Sequence, residues 1–291
     1  MGNIKNKTVL ITGGNSGLGF ETAKTLAMHG AQVYIACRHE KKGQQAVSAI
    51  KNAGISGSIN LLLLDLSNLR SIYYFCQGLD LNKIDVLINN AGVMCMPHLS
   101  TTEDGLETQM GVNYFGHFAL TLFLLEKLRQ SADPRVIHVS SIAAYHQRLW
   151  FNNINADIRY SPYGSYKMSK LCNLLFSHEL GQRNPWLKSI TVHPGVVFTN
   201  IQKDASLWLK SVFWVMKGLH LSQPIEQGIL PILVAATSTK VRSGMYLGPK
   251  YMLKGPVTQV RKPIESRRKT KSRQLWELSQ NIVSTITPYI K

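Results

Sequence analysis

The stretch Thr12-Gly13-Gly14-Asn15-Ser16-Gly17-Leu18-Gly19 constrains this chain more than any other. It follows an apolar run, Thr8-Val9-Leu10-Ile11, that reads as a buried strand. It precedes Phe20 to Ala27, which reads as a helix. Strand, glycine turn and helix N-terminus together make an anion site. The free N–H groups of the first helical turn and the helix dipole both favour a phosphate there. Gly13, Gly17 and Gly19 permit a tight turn, close approach of the backbone to a pyrophosphate, and packing of helix on strand. The spacing is G-x-x-x-G-x-G rather than the commoner G-x-G-x-x-G.

Beyond the turn, strands and helices alternate. Gln32–Cys37, Ile59–Leu64, Ile84–Ile88, Arg135–Val139 and Ser189–Val192 read as strands. Lys41–Ala53, Asn68–Gln77, a long segment from about Gly105 to Gln130, and Gly164–Gln182 read as helices. Apolar strands separated by helices predict an α/β fold of Rossmann type, a doubly wound parallel sheet covered on both faces. No repeat or linker divides the 291 residues, so one domain is expected: a cofactor half over about 7–140, a catalytic and substrate half over about 141–260, and a basic segment with a helix over about 261–291. Ligands bind beyond the carboxyl ends of such strands. Polar, glycine-containing clusters fall there: Thr12–Gly19, Arg38, Asp65, Asn89-Asn90-Ala91-Gly92, Ser140-Ser141 and His193-Pro194-Gly195.

The second strand ends at Cys37-Arg38. An acid in this region would hold the ribose hydroxyls of NAD; a cation suits a 2′-phosphate, so NADP(H) is the expected cofactor. The net charge of +17 points to anionic partners or to a merely solvated basic surface, with equal weight. No nucleic-acid motif accompanies it. Cys37, Cys76, Cys95 and Cys172 are scattered, as expected of free thiols in a reducing compartment. No His or Cys spacing predicts a metal. No apolar run reaches membrane-spanning length. No signal peptide is expected before the strand near Lys7, and Met1–Asn6 only narrowly misses a myristoylation signal. A cytoplasmic protein, touching a membrane at most peripherally, is the expectation.

Tyr166 and Lys170 form a Y-x-x-x-K pair on a helix, so they share one face. A nearby ammonium is expected to lower the phenol's pKa and make it a usable acid/base. Tyr163…Lys167 and Tyr246…Lys250 have the same spacing. The second spans Gly248-Pro249 and is not expected to be helical. The first begins after Pro162, and spacing alone leaves it open.

Taken in order, Thr12-Gly13-x-x-x-Gly17-x-Gly19, Asn89–Gly92, Asn113, Ser141, Tyr166-x-x-x-Lys170 and Pro194-Gly195 resemble the short-chain dehydrogenase/reductase family over nearly the whole chain. The resemblance selects Tyr166, through Ser165-Tyr166 and Ser169-Lys170-Leu171. Within the family, the chain is most similar to the retinol dehydrogenase and WW-domain-containing oxidoreductase branch. The supporting residues are Ala36-Cys37-Arg38, Val93-Met94, Gly111–Phe118, Leu275–Ser279 and the 25-residue gap from Ser141 to Tyr166. Neither the N-terminal anchor of many retinol dehydrogenases nor a WW module is expected.

The resemblance implies that Tyr166 exchanges a proton with the substrate oxygen, Ser141 hydrogen-bonds that oxygen, and Lys170 holds the nicotinamide ribose. Asn113 would support a relay water through its backbone. Gly13, Asn15, Ser16, Gly17, Leu18 and Gly19 would cradle the pyrophosphate. Arg38, Asp65 and Leu66 would surround the adenosine, with Asn89, Ala91 and Gly92 on the same side. Val197 and Thr199 would meet the nicotinamide amide. The expected activity is NADP-dependent transfer of hydride to or from a hydrophobic carbonyl or alcohol: a retinoid, steroid or other lipid. The alternative is an NADP-binding regulatory protein with little turnover. A light-dependent reductase ranks below both. An anionic membrane surface and a second copy of the chain complete the expected partners. Leu207–Leu219, apolar almost all round but for Lys210 and Lys217 in its helical projection, has to cover core, an apolar ligand, a partner subunit or a lipid surface, with core weighing as much as the other three together, and a wide apolar substrate pocket is the expectation drawn from it.

Overall fold

The computed structural model describes residues 2–198, 218 and 221–286. Eight strands form one sheet in the order β3-β2-β1-β4-β5-β6-β7-β8. They are β1 Thr8–Thr12, β2 Gln32–Cys37, β3 Ser58–Leu63, β4 Val86–Asn89, β5 Arg135–Val139, β6 Lys188–Val192, β7 Tyr246–Pro249 and β8 Val257–Gln259. All neighbours are parallel except β7 and β8. The last two strands are too short to stand out in the sequence, and β7 ends in Gly248-Pro249. The chain order reverses at β1, which lies between β2 and β4. That switch point opens a crevice at the carboxyl ends of the strands.

Helices cover both faces. On one lie α1 (Gly17–Met28), α2 (Glu40–Lys51) and α6 (Leu230–Thr237). On the other lie α3 (Leu69–Gln77), α4 (Gly116–Phe123), α5 (Pro162–Arg183) and α7 (Lys269–Ile286). The strands alternate accordingly. Val9 and Ile11 pack with Leu26, Ile50 and Ile232, whereas Leu10 packs with Phe118 and Phe176. The α7 helix is part of this second core. Its Trp276 stands edge-on to Phe118 at 5.2 Å, and Ser279 Oγ hydrogen-bonds Tyr114 Oη at 2.7 Å.

The single helix expected from Gly105 to Gln130 is instead broken. Gly105 is left-handed, with φ +74°, and Glu107 starts a helical turn by accepting from Met110 N at 2.8 Å. Residues Gly111–Phe115 then form a wide π turn, and α4 begins at Gly116. A Cβ at Gly116 would lie 2.4 Å from Leu66 O, so close packing needs glycine there. The helix stops again at Leu124 before a last turn, Leu125–Arg129. Continuous apolar sequence conceals both interruptions. The α5 helix starts two residues before its expected position. Ser161 Oγ accepts from Gly164 N at 3.2 Å, and Pro162, with no N–H to lose, occupies the first turn.

Candidate active site

The crevice between β1 and β4 is a cavity of about 610 Å³. Gly13, Asn15, Ser16, Gly17, Leu18 and Gly19 line one wall. Gly13 and Gly17 are left-handed, with φ of +66° and +56°. A Cβ at Gly19 would stand 2.3 Å from Gly13 O and 2.5 Å from Asn90 Nδ2. Gly14, outside the expected set, packs against Ile35. Ser16 caps α1 through its backbone alone, so its side chain satisfies none of the first-turn N–H groups. The helix therefore offers unpaired donors and its positive end to the cavity.

Arg38 lies at the far end, 59% exposed, with its guanidinium 3.9 Å from the Asp65 carboxylate. Asp65 also accepts from Ser67 N and Oγ, at 2.9 and 2.6 Å. Leu66, Ala91, Gly92 and Val197 line the cavity as well. Glu40, an acid two residues past Arg38, is the first residue of α2 and does not line this cavity. Thr199 and Leu207–Leu219 lie outside the described residues, Gly218 excepted.

Asn89 departs from its expected place on the wall. It is buried in the core, donates to Thr121 Oγ1 at 2.9 Å, and stands 3.5 Å from His138 Nδ1. The neighbouring Asn90 lines the cavity and donates to Thr12 O at 2.8 Å, locking the two strand ends together. Asn113 also sits behind the wall. Its Oδ1 accepts from Val93 N at 2.8 Å, and its Nδ2 donates to Val93 O and Ser169 Oγ at 2.9 and 3.0 Å. It lies in the π turn rather than in a regular helix.

The carbonyl of Asn113 is held by a residue that the motifs did not single out. His117 Nδ1 lies 3.0 Å from Asn113 O, and its Nε2 lies 2.8 Å from Thr12 Oγ1. A carbonyl only accepts, so Nδ1 carries the proton. Burial lowers the ring's pKa to about 4, leaving Nε2 to accept from the Thr12 hydroxyl. Thr12 Oγ1 in turn accepts from Asn90 N and Ala91 N, at 2.9 and 3.0 Å. One buried imidazole thus ties the β1 end, the β4 loop and the π turn.

Tyr166 and Lys170 share the inner face of α5, both buried. Ser141, just past the end of β5, acts on Tyr166 to lower its pKa and caps the following turn by accepting from Ala143 N at 3.2 Å. Lys170 Nζ donates to Val139 O at 3.1 Å and lies 5.7 Å from the centre of the Tyr166 ring. The expected lowering of the phenol by this ammonium is not found. Burial pushes Tyr166 well above the ordinary tyrosine value, with Ser141 opposing, and the lysine sits over the ring. Burial lowers Lys170 to about 8. The rival Tyr163 also lines the cavity but is 40% exposed, with Lys167 over its ring, while Tyr246 is in strand β7.

Behind Tyr166, Cys95 adopts a left-handed φ of +54° and packs with Met94 and Tyr166. Gln109 fixes this turn: its Oε1 accepts from Cys95 N at 2.6 Å and its Nε2 donates to Pro162 O at 3.0 Å. Among the described residues, no group of three or more His, Cys, Asp or Glu could hold a metal ion. None of the described helices is long and apolar enough to cross a membrane.

A family model described as short chain dehydrogenase matches residues 7–210. The chain belongs to that family. It is 44% identical over 208 residues to human (Homo sapiens) retinol dehydrogenase 12, covering 70% of this chain and 66% of that protein. It is 36% identical to human retinol dehydrogenase 11 over 286 residues, 96% of this chain and 86% of that one. A crystal structure of an uncharacterized protein from Mycobacterium paratuberculosis superposes with a TM-score of 0.81 at 34% identity, covering 98% and 96% of the two chains. These relatives support closeness to the retinol dehydrogenase branch.

Proposed function

We propose that this chain is an NADP-dependent oxidoreductase interconverting a hydrophobic carbonyl compound and its alcohol. The observation that carries this reading is one cavity with a phosphate end and a proton-transfer end. The glycine turn, the open N-terminus of α1 and Arg38 suit a dinucleotide carrying a 2′-phosphate. The volume lies within the range of cofactor pockets. When bound, the cofactor supplies or accepts the hydride.

The protein's own groups handle the proton. The raised Tyr166 phenol keeps its proton at neutral pH and can donate it to a carbonyl oxygen. The Ser141 hydroxyl orients that oxygen. Lys170, brought to about 8, is mostly charged at neutral pH and changes charge just above it. Val93, Met94, Ile142, Ala143 and Val196 give the cavity apolar lining. With relatives named retinol dehydrogenases, this favours a retinoid or other long apolar substrate.

The test is NADPH and NADH consumption with aldehydes of increasing chain length. We expect kcat/KM to rise with length and NADPH to be preferred. Tyr166→Phe should lose about 100-fold or more in turnover while still binding NADPH, and Tyr163→Phe should remain active. NADPH binding without turnover on any aldehyde or alcohol would favour the regulatory alternative.

A further inference from the structure

We propose that the surface carrying Trp150 and Ile264 docks on an anionic lipid bilayer. The two side chains are 58% and 71% exposed. They belong to segments that the fold ties together. Leu149 N donates to Glu265 Oε1 at 3.1 Å, Lys271 Nζ donates to Leu149 O at 3.1 Å, and Tyr145 Oη donates to Arg261 O at 2.6 Å. Trp150 and Ile264 each follow or precede a tethered residue, so a fixed platform presents both.

The charge around them has one sign. Residues 261–273 contain seven cations and a single acid, Glu265. That carboxylate is buried and already paired with Arg268 and Lys271. Arg148, Arg261, Arg267 and Lys269 are exposed, and none is in an ion pair among the described residues. A solvated basic surface would account for the cations but not for the two large apolar side chains between them. A nucleic-acid backbone would leave Ile264 without a counterpart. A bilayer interface matches both features: an indole suits headgroup depth, an aliphatic side chain enters the acyl boundary, and the arginines meet anionic headgroups. The segment from Ile142 to Trp150 begins at the cavity wall.

This inference needs no turnover, and its test is independent of the catalytic reading. The full chain is sedimented with vesicles of phosphatidylcholine alone and of phosphatidylcholine with phosphatidylserine, at physiological ionic strength. We expect binding to the second only. Arg148→Gln with Arg261→Gln should weaken it about 25-fold, from about five-fold per charge near the surface. Trp150→Ser with Ile264→Ser should weaken it by about ten-fold or more. None of the four residues lines the cavity, so thermal midpoints and NADPH binding should stay at wild-type values in both variants. Equal binding to the two compositions, or full binding by both variants, would overturn the proposal. So would failure to bind either vesicle, together with self-association in ultracentrifugation that Trp150→Ser with Ile264→Ser abolishes; the face would then belong to a second copy.

Discussion

Lowering the pH from about 7 to about 5 tests the buried histidines, one of which holds the active-site framework. His117, His138 and His193 are each at most 1% exposed, and burial lowers their pKa values to about 4, 3 and 4. In the unfolded chain each should titrate near its ordinary value of about 6.5. Below that value the unfolded chain takes up protons that the folded one refuses. Stability is therefore full above about pH 6.5 and falls as the pH drops towards 4. The slope is about 1.4 kcal/mol per pH unit for each ring, or about 4 kcal/mol per unit for three. Each unfolded ring is only half protonated at about pH 6.5, so between pH 6.5 and 5 the loss is about 5 kcal/mol, comparable with the whole stability of many domains. His178, also lowered, acts in the same direction. Asp85, Asp133 and Glu265 are held below the usual carboxylate range. Their contribution is lost only below about pH 4.5, so they leave this window clear. Urea unfolding at half-unit pH steps measures the slope, and His138→Gln should remove about a third of it. A flat profile from pH 7 to 5, or a slope that ignores His138→Gln, would refute the reasoning.

Three further outcomes are expected. Arg38→Ala should remove a charge-assisted contact of about 1.5–3 kcal/mol, weakening NADPH by roughly ten- to hundred-fold in titration calorimetry and NADH little. Equal losses would count against the 2′-phosphate assignment. His117→Leu should strip the Asn113 carbonyl of its imidazole donor and leave the Thr12 hydroxyl proton with only a long contact to Ile88 O at 3.4 Å as acceptor. We expect a loss of about 2–4 kcal/mol, read as a fall of several degrees in thermal midpoint, and an unchanged midpoint would contradict it. Gly19→Ala should push Gly13 and Asn90 apart and abolish NADPH binding, so an unchanged Kd would deny the close packing of the turn.

The sheet was legible because its strands are apolar on both faces and separated by helices. The strand order, with its reversal at β1, came only with the structure. The π turn was not legible, since Gly111–Phe115 is as apolar as a regular helix and its widening depends on contacts such as Gly116 against Leu66. His117 stood within a quoted stretch, but a histidine's role depends on what lies at both ring nitrogens, and those partners are 105 residues upstream and one turn away. Asn89 is the instructive case, because elementary strand geometry does determine it. Leu87 packs with the aromatic core, and side chains two apart on a strand share a face. Asn89, the last residue of β4, must therefore point into that core, where Thr121 and His138 meet it. Asn90 is the first residue free of the alternation and able to turn over Gly13. A motif names which residues are present at a strand end; the register of the strand decides which of two adjacent asparagines reaches the ligand.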